Sequence, residues 1–162
     1  MKVRDVRNLL VKDPVVMGPE QSVEELLAAI IKDPRTRYAY VVDKKGRLIG
    51  SVRMNDVVRY LFPFEAVVEG STELSVGKYA YFEAKTVGDI MDDSPRFVKE
   101  TTSLSDMADI LIREKINELP VVDDQMRIVG QLSLYEVIAT YLREVCPERI
   151  ESNKDMNKGN ES

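Results

Sequence analysis

The sequence predicts an α/β protein of the α+β kind, built from two copies of one small repeat, and three observations predict it. A stretch beginning near residue 40 recurs 80 residues later. Beside it, apolar residues recur at helical spacing behind polar side chains suited to capping. Between these lie short runs of β-branched and aromatic residues joined by polar turns. Each copy is therefore expected to form a small sheet with two packed helices, the copies being related by a pseudo-twofold axis.

The repeat governs the whole fold, because each copy is one unit that buries its apolar face against the other. YAYVVDKKGRLIGSVRMNDVV from Tyr38 aligns with ELPVVDDQMRIVGQLSLYEVI from Glu118 at a constant separation of 80 residues. Val41, Val42, Asp43, Arg47, Gly50 and Val57 meet Val121, Val122, Asp123, Arg127, Gly130 and Val137. Upstream, at a separation of 81, Pro14 meets Pro95, Ser22 meets Ser103 and Ile31 meets Ile112; VRDV at Val3 is echoed by VGDI at Val87. The boundaries are 1–61 for the first repeat, 62–85 for an inter-repeat segment, 86–145 for the second repeat and 146–162 for a polar tail expected to be disordered.

Within each repeat the expected order is strand, helix, strand, strand, helix. Ser22 with Glu25, and Ser103 with Asp106, place a hydroxyl acceptor and an acid at the start of a helix. Leu26, Ala29 and Ile30, and likewise Met107, Ile110 and Leu111, form one apolar face. Tyr38 to Val42 and Leu119 to Val122 read as strands. Lys44-Lys45-Gly46 and Asp124-Gln125-Met126 read as hairpin turns into strands at Arg47 to Val52 and Arg127 to Leu132. Final helices follow from Asn55 and Leu134. Two such units pack against each other, and the groove between them is the natural pocket.

Composition narrows the chemistry. The 162 residues are 44% hydrophobic, enough for a core without metal or disulfide, and Cys146 has no second cysteine to bridge. A net charge of -5 argues against nucleic acid as a partner. No apolar run approaches the roughly 20 residues that cross a bilayer, and MKVRDVRNLL does not read as a secretory signal, so no membrane insertion and a cytoplasmic location are expected. The chain has no histidine, which excludes histidine-dependent triads and most zinc sites. Neither GxxxxGK[ST] nor GxGxxG occurs. No nucleophile has a candidate base beside it, so no catalytic residue, metal or catalytic cofactor is assigned.

VGDIM, INELPVVD and GQLSLYE in the second copy, and VRDV, RYAYVVD and GSVRMND in the first, resemble the tandem cystathionine-β-synthase-type repeat, the CBS domain pair. Tyr40 stands where that pattern usually has the proline of LPVVD. The resemblance implies a regulatory module that binds AMP, ADP, ATP or S-adenosylmethionine in up to two clefts between the repeats. In each cleft an acid at the start of one repeat's last helix holds the ribose hydroxyls. A Ser or Thr three residues earlier contacts ribose or phosphate, and the other repeat supplies its first strand and the residues before PVVD.

Carried onto this chain, the resemblance implies a first cleft of Ser133 and Glu136 with Val15, Arg37, Tyr38, Ala39 and Tyr40. Glu136 replaces the more usual Asp, and a plain capping box is the other reading of Ser133-x-x-Glu136. The second cleft combines Arg53 and Asp56 with Arg96, Asn117, Glu118 and Leu119. There Arg53 replaces the Ser or Thr and Arg96 an apolar residue; surface ion pairs, Arg53 with Asp56 or Arg96 with Glu118, are the other reading. The first cleft is expected to take adenosine, and the second to be empty or to hold polyphosphate.

A homodimer is expected, in contact through the helix faces or through the aromatics Phe62, Phe64, Tyr79, Tyr81 and Phe82 of the inter-repeat segment. Those aromatics read equally as a loop folded onto the core. The regulated protein is not identified by the sequence. The alternative function is a ligand-free scaffold that dimerises or docks a partner.

Overall fold

A computed structural model of the chain describes residues 1–9, 13–32, 36–61 and 85–145. The aromatic segment, except Lys85, and the tail expected to be disordered lie outside the described residues. A 3-10 helical stretch, Val3–Leu9, opens the chain. The first repeat continues as β1 (Val15–Met17), α1 (Val23–Lys32), β2 (Tyr38–Val42), β3 (Leu48–Arg53) and α2 (Met54–Leu61). The second runs α3 (Val87–Ile90), β4 (Val98–Lys99), α4 (Leu104–Glu114), β5 (Glu118–Val122), β6 (Ile128–Ser133) and α5 (Leu134–Val145).

Local chemistry explains these elements. At α1 the Glu25 N–H donates to Ser22 Oγ at 3.1 Å and the Ser22 N–H donates to Glu25 Oε2 at 2.8 Å, a reciprocal capping box. Ser103 Oγ accepts the Asp106 N–H at 3.0 Å at the start of α4. The hairpin turns are held by Asp43 and Asp123. Each Oδ1 accepts two backbone N–H groups, from Lys45 and Arg47 in the first turn and from Gln125 and Arg127 in the second. Gly46 takes a φ of 76° in the first turn, and Met126 takes 64° at the equivalent place in the second.

Each repeat builds a three-stranded sheet of the same topology. β1 runs parallel to β2 and β2 antiparallel to β3; β4, β5 and β6 repeat this order. Even the register shift recurs, between Val41 and Val42 and between Val121 and Val122.

The leading segments are exchanged. The Val3 N–H donates to Thr102 O at 2.9 Å and the Val87 N–H to Gln21 O at 2.8 Å. The Arg4 N–H donates to Glu100 O and the Gly88 N–H to Pro19 O, both at 2.9 Å. Val3 and Val6 accordingly join the core of the second sheet, with Val98, Met107, Leu111, Leu119, Val121 and Leu132. Val87 joins the first, with Met17, Leu26, Ala39, Val41, Val52 and Val57. Each core therefore needs a segment from the other repeat. A third cluster, Tyr40, Leu48 and Val122 with Tyr38, Phe97, Met126 and Ile128 against it, joins the two sheets. Here the Leu48 N–H donates to Met126 O at 2.8 Å and Arg47 bridges its own equivalent, Arg127, as a pseudo-twofold relation requires.

Candidate ligand clefts between the repeats

Two cavities open between the sheets, and they are each other's equivalents. The first, of about 290 Å³, is lined by Val15, Thr36 and Tyr38 of the first repeat and by Glu118, Gln131, Ser133, Tyr135 and Glu136 of the second, with Asp13 and Pro14 at its edge. The other, of about 280 Å³, has Arg96, Ile116, Glu118, Ser51 and Arg53 at the matching positions, with Tyr38, Tyr40, Asp92, Ser94, Glu114, Leu119 and Pro120. Both volumes are at the small end for small-molecule sites, about 300 Å³ and upward.

Four residues of the expected first cleft, Val15, Tyr38, Ser133 and Glu136, meet around the 290 Å³ cavity. Arg37 lies just before β2, exposed, with its guanidinium 3.4 Å from the carbonyl of Thr36. Ala39 and Tyr40 are placed differently. Successive side chains of a strand point to opposite faces, so Tyr38 and Tyr40 share one face while Ala39, fully buried, turns into the first core. Tyr40 stacks on Tyr38, with ring centroids 6.2 Å apart and planes within 9°, and lines the other cavity.

At the start of α5, Glu136 Oε2 accepts the Ser133 N–H at 2.6 Å and also the Ser133 hydroxyl, which in turn accepts the Tyr135 N–H at 3.1 Å. The Glu136 half of the capping box is thus formed, while the Ser133 hydroxyl caps the Tyr135 N–H rather than that of Glu136; the contact engages Oε2, one of two carboxylate oxygens.

In the second cavity Arg53, Arg96, Glu118 and Leu119 come together. Asp56 is held against Arg53 at 2.8 Å, which is the ion pair the sequence allowed. The other pair does not form: Arg96 reaches Glu114 at 3.3 Å rather than Glu118. Asn117 is exposed, and its carbonyl accepts the Leu134 N–H at 2.9 Å. Arg53 and Arg96 are each already paired with an acid and Glu118 adds a further carboxyl to the cavity wall, so the electrostatics disfavour the polyphosphate expected there.

Sequence reasoning assigned Tyr38 to one cleft and Glu118 to the other; both line both. The signal was available, since they are the same position of the repeat and equivalents close to a twofold axis face each other across it. Glu118 is only 6% exposed, and its Oε1 has no hydrogen-bond partner among the described residues. Burial pushes its carboxyl up to about 7; the N–H groups of Arg37 and Tyr38 and the Arg37 charge pull the other way, and Glu136 adds to the rise. The buried hydroxyl of Tyr40 is likewise unpartnered, and burial pushes it well above its ordinary value.

Among the described residues no helix is long and apolar enough to cross a membrane, and no group of three or more His, Cys, Asp or Glu side chains is placed to hold a metal ion.

Comparison with known proteins adds family relations to this geometry. The family described as CBS domain matches residues 3–63 and 87–143. CBSX1, a chloroplastic CBS domain-containing protein of Arabidopsis thaliana, is 30% identical over 148 residues, 82% of this chain and 61% of that protein. This chain thus spans about six-tenths of that relative's length. A CBS domain-containing protein of Thermotoga maritima superposes with a TM-score of 0.71 at 29% identity, covering 88% of this chain and 95% of the other. Arabidopsis thaliana CBSX2 in complex with AMP superposes with a TM-score of 0.65 at 26% identity, covering 85% and 96%.

Proposed function

The chain belongs to the CBS domain family, and on that premise we propose that it is a regulatory module that binds an adenosine-containing ligand between its repeats and modulates a partner protein. AMP, ADP, ATP and S-adenosylmethionine are the candidates. The reading includes no catalysis of its own and a cytoplasmic setting.

One observation carries it: Ser133 and Glu136 of the second repeat converge with Val15 and Tyr38 of the first on a single cavity. The AMP complex of CBSX2, a protein of the same fold, supports the ligand class. In this reading Glu136 accepts from the ribose hydroxyls, Tyr38 and Val15 flank the base, and Arg37 meets phosphate as a charge-assisted donor. A ligand that touches both repeats binds one arrangement of them better than another and shifts that arrangement by its differential affinity.

The scaffold reading has its own observation, since Glu136 is engaged by Ser133 and Asp56 by Arg53 with no ligand needed. Calorimetric titration with the four candidates separates the two. Glu136→Ala is expected to weaken binding of all of them, and Arg37→Ala to weaken most those with more phosphates. If Glu136 is a cap alone, its loss costs about 1 kcal/mol of stability and leaves Kd unchanged. No binding by any candidate favours the scaffold. We propose in addition that the chain works as a homodimer, joined through the exposed apolar stripe of α5.

A further inference from the structure

Glu118 opens β5 at the position equivalent to Tyr38 in β2, and its Cα pairs with that of Ser133 across the sheet. It is therefore built into the wall that the two cavities share. A carboxyl that is 6% exposed, with one oxygen lacking any partner among the described residues, is costly unless something donates to it. The N–H groups of Arg37 and Tyr38 and the Arg37 charge act on the carboxyl yet leave Oε1 without a partner among the described residues, and in the second cavity Arg53 is paired with Asp56 and Arg96 with Glu114. Phosphate placed there would meet a buried acid head-on.

We propose that Glu118 is a specificity-determining residue: the ligand group seated against it is a hydrogen-bond donor, the 6-amino group of adenine, so that the site takes adenine and refuses the 6-oxo purines. Adenine offers N–H where hypoxanthine and guanine offer a carbonyl oxygen, and two acceptors facing each other in a buried site leave both unpaired. A site built to bond a donor rejects the analogue lacking it far more strongly than an apolar pocket rejects a change of size. The inference rests on the adenosine reading of the cleft and adds to it which atom of the base is read, and by which side chain.

The test is titration of the full chain with AMP and IMP at about pH 8, where Glu118 is ionised and acts only as acceptor. The wild type is expected to bind AMP at least about tenfold more tightly than IMP. Glu118→Gln, whose amide both donates and accepts, is expected to bring the two within about threefold. Equal binding of AMP and IMP by the wild type, or a preference unchanged in Glu118→Gln, overturns the inference while leaving the adenosine site intact. Binding of neither nucleotide overturns the inference, and the adenosine reading falls with it only if ADP, ATP and S-adenosylmethionine also fail to bind.

Should Glu118→Gln not fold, the wild type alone decides. Toward about pH 6 the carboxyl gains a proton that it can donate to a carbonyl, so the preference for AMP must narrow. Arg37, Glu136, Tyr38 and Tyr40 are the charged and titratable groups facing it. The tyrosines, both pushed up by burial, stay neutral, and protonation of the nucleotide phosphate is common to the two ligands. A preference that is constant from about pH 6 to 8 overturns the proposal.

Discussion

With no histidine in the chain, few side chains titrate by default between about pH 5 and 8, and the buried carboxyl of Glu118, pushed up to about 7, falls inside that range. Folding holds it protonated more tightly than the unfolded chain does, where its ordinary value is 4.5. Its contribution to stability is therefore complete below that value, is lost as pH rises through about 7, and is level above. The loss is at most about 3 kcal/mol. Thermal melts should show the wild type less stable at about pH 8 than at about pH 5.5, and Glu118→Gln should flatten the difference. The acids whose values are lowered, among them Asp43, Asp89 and Asp123, act in the opposite sense and only at lower pH. A wild-type melting temperature that rises steadily across this range would remove Glu118 from the explanation. At this scale the sequence was legible in residue type and opaque in direction. Ala39 was grouped with its neighbours, yet strand alternation turns it into the core; Glu118 was recognised as a cleft residue, but its facing two cavities depends on where the axis between the repeats runs.

Most elements could be read from local signals because their causes are local. Ser22 and Ser103 cap helices that begin where the hydroxyls stand, and Asp43 and Asp123 close turns of their own backbone. The exchange of leading segments had no such signal, since VRDV and VGDI do not encode which sheet they cross to. Gly50 tests that exchange. Downstream of α3, Asp92 pairs with the edge strand β3: the Ser51 N–H donates to Asp92 O at 3.0 Å and the Asp92 N–H to Ser51 O at 2.9 Å. A Cβ on Gly50 would lie 2.6 Å from Met91 Sδ and 3.1 Å from that same Asp92 carbonyl. The thioether can swing aside; the carbonyl, tied to Ser51, cannot move without losing its bond. Gly50→Ala is expected to cost about 1–2 kcal/mol in a urea melt, and adding Met91→Ala should recover only part of it. Full recovery in the double variant would mean that the sulfur alone was the obstacle and the crossing backbone yields freely.

At the scale of the molecule, the faces left uncovered on the last helices argue for a second copy. Along α5, Tyr135, Ile138, Tyr141 and Leu142 are 75%, 57%, 58% and 38% exposed, and Val58 on α2, the equivalent of Ile138, is 49% exposed. Apolar residues spaced three and four apart on one helix form a stripe, and a contiguous exposed stripe on a small protein marks a contact surface rather than a solvated face. A twofold contact makes the patch its own complement, which suits a helix present once per chain. The stripe begins at Tyr135, which also lines the first cavity one residue before Glu136. Ligand and partner copy thus meet the same turn of α5, and whatever factor a ligand changes dimer affinity by, the dimer changes ligand affinity by the same factor. Sedimentation of the wild type is expected to give twice 18.4 kDa at micromolar concentration, and Ile138→Glu with Tyr141→Glu to give 18.4 kDa with an unchanged circular dichroism spectrum. A wild-type mass of 18.4 kDa ends the dimer proposal. Dissociation by Tyr79→Ser with Phe82→Ser, but not by the α5 changes, moves the interface to the segment beyond the described residues. With α5 as the interface, the ratio of the Kd for AMP in the wild type to that in the dissociated variant is expected to depart from one, and the dimer constant must shift with saturating AMP by that same ratio.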